Sequence, residues 1–201
     1  MKLDVYVMRH GETEANLRQI LMGRGDSPFT AAGRMQPAQV ARHLRDRRLA
    51  CIYSSPMERA RRTAALVVES LGEPIPIREE VAIAEVDAGD FTGLSFQEVR
   101  RRIPDGVILG EFRYPGGESW AEVQARAVDF VKGLSARHPG AAVLLVTHAG
   151  VIAGLVAEYL GEPIEKYVRT RFGHDFLGRL DLEGAAIVGY EKLAGTVDSW
   201  I

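Results

Sequence analysis

One run of residues constrains this chain more than any other. Ala141 to Val146 is apolar at every position and stops at Thr147-His148. A strand with one solvated face alternates apolar and polar residues; an unbroken apolar run fits a strand buried on both faces. Such a strand needs cover above and below, and the rest of the chain supplies it as alternating strand-like and helix-like segments. That alternation predicts an α/β fold, a three-layer α/β/α sandwich around a mostly parallel central sheet.

The individual elements follow from local patterns. Leu3 to Met8 reads as the first strand, Cys51 to Ser54 as a second, and Ile75 to Ala84 as holding a strand that reaches Glu85. Thr13 and Thr30 are placed as N-caps of two helices, the second running to about Arg47. Pro37 lies inside that second pattern and either kinks the helix or marks its start. Ser55-Pro56 opens a helix ending near Gly72, because proline is tolerated in a first turn. Helices are also expected over Ser95 to Arg102, Ser119 to Arg137 and Val151 to Leu160. Phe176 to Leu182 and Ala186 to Leu193 read as late strands, and the final residues show no pattern. The 201 residues suit a single domain over 1–201, with a lid or insert at about 87–117.

The polar residues fall in telling places. Arg9-His10 and His148 each follow directly after an apolar strand, and ligands in open α/β sheets bind outside the carboxyl ends of strands. Two histidines and an arginine far apart in sequence can therefore converge. Composition narrows what they act on. The net charge is -2, so the chain has no general pull toward nucleic acid or membrane, and an anion site must be built locally. The single cysteine, Cys51, excludes an internal disulfide and a thiolate zinc cluster, and reads as a small buried hydrophobe. No apolar run approaches the roughly 20 residues of a bilayer span, and the N-terminus does not read as a signal peptide, so the cytoplasm is the default expectation for its location.

Arg9-His10-Gly11-Glu12-Thr13 suits phosphate chemistry. Arginine offers planar bidentate donors to phosphate oxygens. Imidazole, with an unperturbed pKa near 6.5, is largely a neutral nucleophile at pH 7. Gly11 permits a tight turn whose carbonyl can fix the ring tautomer.

These residues carry a resemblance. Arg9-His10-Gly11-Glu12-Thr13 with Asn16, the block Ser54-Ser55-Pro56-Met57-Glu58-Arg59-Ala60-Arg61-Arg62-Thr63-Ala64, Glu85 with Gly89 and Gly93, and Thr147-His148-Ala149-Gly150 are similar, in order and spacing, to the histidine phosphatase superfamily, also called phosphoglycerate mutase-like. The resemblance implies that His10 attacks phosphorus and carries the phosphoryl group. It implies that Arg9, Arg59 and His148 bind equatorial oxygens and that Asn16 adds a neutral donor. Backbone amides near Gly11, Gly23 and Ala149 also touch phosphate in this reading. Glu85 would protonate the leaving alkoxide, which requires partial shielding from water. No metal and no cofactor are implied, and the partner is a small phosphorylated metabolite, with a homodimer left open.

Pro115-Gly116-Gly117-Glu118-Ser119 resembles the phosphatase branch, and no inserted basic segments of the mutases are present. The reading is a phosphomonoester hydrolase; mutase-type transfer and a phosphate-binding module without turnover are the alternatives. Two positions depart from the family pattern: Met22 before Gly23, where relatives carry a hydrogen-bonding side chain, and Phe91-Thr92-Gly93, where an aromatic-glutamate-glycine sequence is usual. Phe91, Phe96, Phe112, Arg113 and Tyr114 either line the substrate pocket or pack on one another. His43 and His138 read as surface residues, and His174 as structural with a pocket role as the alternative.

Overall fold

The structure is a computed structural model and describes residues 2–199. In chain order it contains β1 (Lys2–Arg9), α1 (Glu14–Leu17), α2 (Ala31–Ala41), β2 (Leu49–Ser54), α3 (Glu58–Leu71), β3 (Ile77–Glu79), α4 (Phe96–Arg102), α5 (Trp120–Arg137), β4 (Ala142–Thr147), α6 (Ala149–Leu160), β5 (Thr170–Phe172), β6 (Leu177–Glu183), β7 (Ala186–Ala194) and β8 (Val197–Ser199). The main sheet has the order β3-β2-β4-β1-β6-β7. Its first four strands are parallel, whereas β6 and β7 are added antiparallel.

The apolar run is a central strand, as its composition predicts. Val143 and Leu145 face one side, where they meet α5 and α6 residues such as Val131, Leu134 and Ile152. Leu144 and Val146 face the other, packing with Val40 of α2 and with Ala60, Ala64 and Val67 of α3. All four are fully buried, each contributing roughly 1.5–3 kcal/mol of apolar transfer. The alternation in β1 and β2 sorts the same way: Val5, Val7, Cys51 and Tyr53 to the α5/α6 side, Tyr6, Met8 and Ile52 to the other. The three layers follow from this sorting.

Some expected boundaries change. α2 stops at Ala41 and passes into a short 3-10 turn, Arg42–Leu44, instead of running to Arg47. Pro37 sits inside α2; its missing N–H leaves the Gly33 carbonyl without its helical partner. α3 starts at Glu58, after Pro56, and its first amides are capped from a distant loop. The strand expected to reach Glu85 is only β3, and Val81–Ile83 forms a 3-10 turn capped by the Glu80 side chain. The chain end is not patternless: β8 pairs antiparallel with β5 in a second, two-stranded sheet. That pairing joins short segments far apart in sequence. Trp200 and Ile201 lie outside the described residues. Among the described residues, no helix is long and apolar enough to cross a membrane.

Candidate active site

The site lies at the carboxyl ends of β2, β4 and β1, which are adjacent in the sheet. Arg9 is in register with Thr147, and Ser54 with Val146, so His10, His148 and Ser55 emerge side by side. The His10 amide still bonds the Thr147 carbonyl at 2.9 Å, and the Ser55 amide the Val146 carbonyl at 3.0 Å. The strands thus fix the backbone up to these three side chains.

His10 is almost fully buried. Its Nδ1 lies 2.8 Å from the Gly11 carbonyl oxygen. A carbonyl only accepts, so Nδ1 carries the proton and Nε2 keeps its lone pair. Arg59 Nε donates to that lone pair at 3.3 Å. Burial, and then the neighbouring Arg59, hold the His10 pKa well below 6.5, which keeps the ring neutral. Gly11 serves this arrangement with both backbone groups: its carbonyl accepts from His10, and its N–H donates to Thr63 Oγ1 at 2.9 Å. The N–H expected to touch an anion is therefore engaged, and Gly11 orients the imidazole instead.

Arg59 is the arginine that the Ser-Pro spacing singles out, and it is 5% exposed. Arg61 and Arg62 of the same helix are exposed, each within ion-pair range of Glu58. The Arg59 guanidinium donates to the Gly23 carbonyl at 2.8 Å, to the Gly25 carbonyl, and to Asp26 Oδ1 at 3.1 Å. Its Nη2 also donates to His148 Nδ1 at 3.3 Å. Arginine cannot accept, so His148 Nδ1 holds a lone pair and its Nε2–H donates to Ser55 Oγ at 2.7 Å. Asp26 also accepts from the amides of Glu58 and Arg59 at 2.9 and 3.2 Å, capping α3. One loop carboxylate therefore fixes both the helix start and its key side chain. Nothing in the sequence marked it, because the contact spans the loop-to-helix gap.

Arg9 donates to the Phe172 carbonyl at 2.6 Å, while its buried Nε has no partner among the described residues. Burial lowers its pKa to about 10, partly offset by Glu85, so it remains a cation at neutral pH. Glu85 is half-buried, as its expected role requires. Its Oε1 accepts from the Val86 amide at 3.0 Å, and desolvation raises its pKa despite Arg59 and Arg9 nearby. It lies against the first turn of α6: a Cβ at Gly150 would stand 2.8 Å from Glu85 Oε1 and 1.9 Å from the Trp120 ring. The Glu85 carbonyl is held by Arg126, whose guanidinium also grips Glu118. Glu118 in turn accepts from the Asp87 amide at 2.9 Å, which gives the Pro-Gly-Gly-Glu-Ser stretch a physical job. Nearby carboxylates are engaged elsewhere: Glu79 pairs with Arg61, Glu80 caps Ala82, and Asp87 bonds the Gly89 amide.

The remaining expected residues sit around this centre. His148 N-caps α6 with no side-chain cap bond, and among the described residues the Ala149 and Gly23 amides have no acceptor. Asn16 Oδ1 closes a capping box with Thr13, leaving its NH2 group as the donor. Met22 turns its Cε toward Gly25, within the tight turn closed by Gly25 N–H on the Met22 carbonyl. Phe91, Phe112 and Tyr114 pack on one another in tilted and edge-on contacts, and Tyr114 continues to Trp120. Arg113 instead pairs with Glu122 at the surface. His43 is exposed, but His138 is half-buried and bonds the Tyr53 hydroxyl at 2.8 Å. His174 is nearer the chemistry than its sequence context suggested: its ring centroid is 5.2 Å from that of His10.

Fold and site define a class: a three-layer α/β protein with two neutral imidazoles and two arginines gathered at the carboxyl edge of its sheet. The chain belongs to the histidine phosphatase superfamily (branch 1), whose family model matches residues 5–187. It is 33% identical over 157 residues to the uncharacterized phosphatase PhoE of Bacillus subtilis, covering 78% of this chain and 77% of that one. It is 32% identical over 186 residues to the probable phosphoglycerate mutase GpmB of Escherichia fergusonii, covering 90% and 86%. Among solved structures, Bacillus stearothermophilus YhfR superposes with a TM-score of 0.82 at 29% identity, covering 95% of each chain. A mycobacterial glucosyl-3-phosphoglycerate phosphatase with inorganic phosphate gives 0.78 at 26%, covering 96% of each.

Proposed function

We propose that the chain is a phosphomonoester hydrolase that acts on a small phosphorylated metabolite through a phosphohistidine on His10, without a metal. The observation that carries this reading is the tautomer of His10: Nδ1–H is tied to the Gly11 carbonyl, and the opposite nitrogen is presented to Arg59. A phosphoryl group arriving there meets a neutral nucleophile ringed by fixed cations. Phosphoryl transfer depends mainly on positioning and on stabilising charge on the transferring oxygens. Arg59 Nε and Nη2, now resting on the two imidazoles, turn to those oxygens, and Arg9 Nε gains the partner it lacks. Burial and then the arginine charge hold His148 neutral; the dianion offsets that charge, so His148 takes up a proton from solvent on Nδ1 and hydrogen-bonds the phosphate through it. The α6 amides, Gly23 N–H and Asn16 complete the cradle.

Nε2 of His10 attacks phosphorus as the P–O bond to the leaving group breaks. Glu85, whose pKa burial raises, gives its proton to the leaving alkoxide. The resulting carboxylate then takes a proton from water as that water attacks the phosphohistidine, which frees His10 and phosphate. The 87–117 segment, with its aromatic cluster, walls the leaving-group side.

Relatives named as a phosphatase and as a probable mutase both resemble this chain, so mutase-type transfer is the second reading. The absence of inserted basic segments favours hydrolysis. The test is turnover of p-nitrophenyl phosphate in excess EDTA, with quenching in alkaline denaturant to trap phosphoprotein. Activity that survives chelation, is lost in His10→Ala, and leaves acid-labile phosphate on His10 supports the proposal. Isomer exchange on phosphoglycerates primed with bisphosphoglycerate, with little phosphate release, would replace it by the mutase reading. Binding of phosphomonoesters without turnover would replace it by a binding module.

A further inference from the structure

We propose that His174 is a positioning residue for the nucleophile, and that the C-terminal segment from Gly195 through β8 holds it in place. This rests on the phosphohistidine reading above for its catalytic consequence, though not for its structural content.

The imidazole of His10 is aimed by two consecutive peptide groups, and both are clamped. In the Gly11–Glu12 peptide, the carbonyl accepts from His10 Nδ1 and the Glu12 N–H donates to Gln36 Oε1 at 2.9 Å. In the His10–Gly11 peptide, the N–H donates to Thr63 Oγ1 at 2.9 Å and the carbonyl accepts from His174 Nδ1 at 2.7 Å. Thr63 is itself fixed, its hydroxyl donating to the Arg59 carbonyl at 2.7 Å. Three side chains from three parts of the chain therefore set two peptide planes. Without the His174 clamp the first plane can rotate, because the adjoining Gly11 has little steric restraint of its own. Rotation carries the Gly11 carbonyl away from Nδ1. The ring then populates the other tautomer, whose proton sits on Nε2 and which has no lone pair for phosphorus.

His174 suits the task because it is 7% exposed and stays neutral, burial and Arg9 lowering its pKa to about 3. It has one N–H, and the geometry spends it on the His10 carbonyl.

His174 is held from the chain end. The Gly173 N–H donates to the Thr196 carbonyl at 2.8 Å. Asp175 accepts from the Thr196 amide at 3.1 Å and from its hydroxyl at 3.2 Å. Gly195, at φ +85, lets the backbone pass so close to Asp175 that a Cβ would stand 2.4 Å from the Asp175 carbonyl oxygen. β8 pairs with β5, whose last residue, Phe172, offers its carbonyl to Arg9. The family match ends at residue 187, so the segment that braces His174 lies beyond it.

The experiment compares His174→Gln, His174→Asn and Thr196→Val with wild type, reading kcat, KM, Tm and the tautomer of His10 by nitrogen-15 NMR. Asparagine can place an N–H where Nδ1 stood; glutamine places its amide at the reach of Nε2. His174→Gln should lower kcat roughly 10- to 100-fold with a smaller change in KM, the range expected from a lost buried hydrogen bond and an ångström-scale misplacement. His10 Nε2 should shift from an unprotonated to a partly protonated signal. His174→Asn should recover most of kcat and the wild-type tautomer. Thr196→Val should move kcat and tautomer the same way by a smaller factor. Wild-type tautomer and kcat within about two-fold in His174→Gln, a margin below one hydrogen bond, would overturn the proposal. Equal losses in the asparagine and glutamine variants that follow Tm would also overturn it, and an unchanged Thr196→Val would remove the brace. If wild type proves inactive on every phosphomonoester, the phosphatase reading falls instead, and the tautomer measurement still decides the role of His174.

Discussion

Gly11→Ala is the smallest change that should disable this site. The added Cβ would stand 2.2 Å from the Gly33 carbonyl oxygen of α2, a backbone atom that no rotamer change can move. A relaxed carbon–oxygen contact is about 3.3 Å or more, so the end of β1 and α2 must part by roughly 1 Å. The φ of Gly11 is not in the left-handed region, so alanine meets no left-handed strain there and the clash with Gly33 is the effect tested. Separation cannot be silent, because the Gly11–Glu12 peptide bonds Gln36 on α2 and the Gly11 amide bonds Thr63 on α3. A misplacement of about 1 Å at a reacting group costs about 10²-fold in rate, equal to roughly 3 kcal/mol of barrier. Overpacking should also cost about 1–3 kcal/mol of stability. The assay is kcat on p-nitrophenyl phosphate beside urea unfolding. Gly33→Ala is the partner variant: its Cβ would stand 1.9 Å from the Glu12 carbonyl oxygen, so it forces the same separation from the other side. Near-normal kcat and stability in Gly11→Ala would refute the close-approach argument.

Other perturbations have equally definite signs. Glu85→Gln should lower kcat about 10²- to 10⁴-fold, the usual worth of a general acid. Because burial raises the Glu85 pKa, wild-type stability falls relative to the glutamine variant as pH rises through that pKa; the Tm gap should open from pH 5 to pH 8, and a gap that closes refutes the sign. His174, native pKa about 3, binds a proton more readily when unfolded, so its contribution is intact above pH 6.5 and erodes below it. At pH 5 it should cost the fold about 2 kcal/mol, removed in His174→Asn; His10 and His148 act in the same direction, and a flat unfolding free energy between pH 7 and 5 would contradict this. Asp26→Ala should cost about 1 kcal/mol through the α3 cap and weaken inhibition by phosphate, while Asp26→Asn, whose amide oxygen still caps, should restore most of the stability. Unchanged phosphate inhibition in Asp26→Ala would show that Arg59 does not need it.

What could be read from the sequence was local or periodic. The apolar run of β4 implied cover on both faces, and α2 and α3 on one side with α5 and α6 on the other provide it. Residues directly following strands were readable for the same reason: a strand fixes the address of the next side chain, so His10 and His148 could be brought together in advance. The helix starts at Thr13, Ser95 and Ser119 were readable as well, and the structure shows each to be a capping box contained within four residues.

What the tertiary structure alone decided were contacts between polar groups separated by long stretches of chain. Asp26 on Arg59, Thr63 on Gly11, His174 on His10 and Arg126 on Glu85 leave no periodicity and no local propensity. The pairing of β5 with β8 is of the same kind: each strand is three residues long, too short to announce itself, and the Asp175–Thr196 hydrogen bonds lie beside it. The sequence by itself thus determined the layers and the strand ends at which the imidazoles emerge, because hydrophobic burial follows local pattern. The direction in which each imidazole points was settled only on folding, because a hydrogen bond depends on where its partner arrives in space.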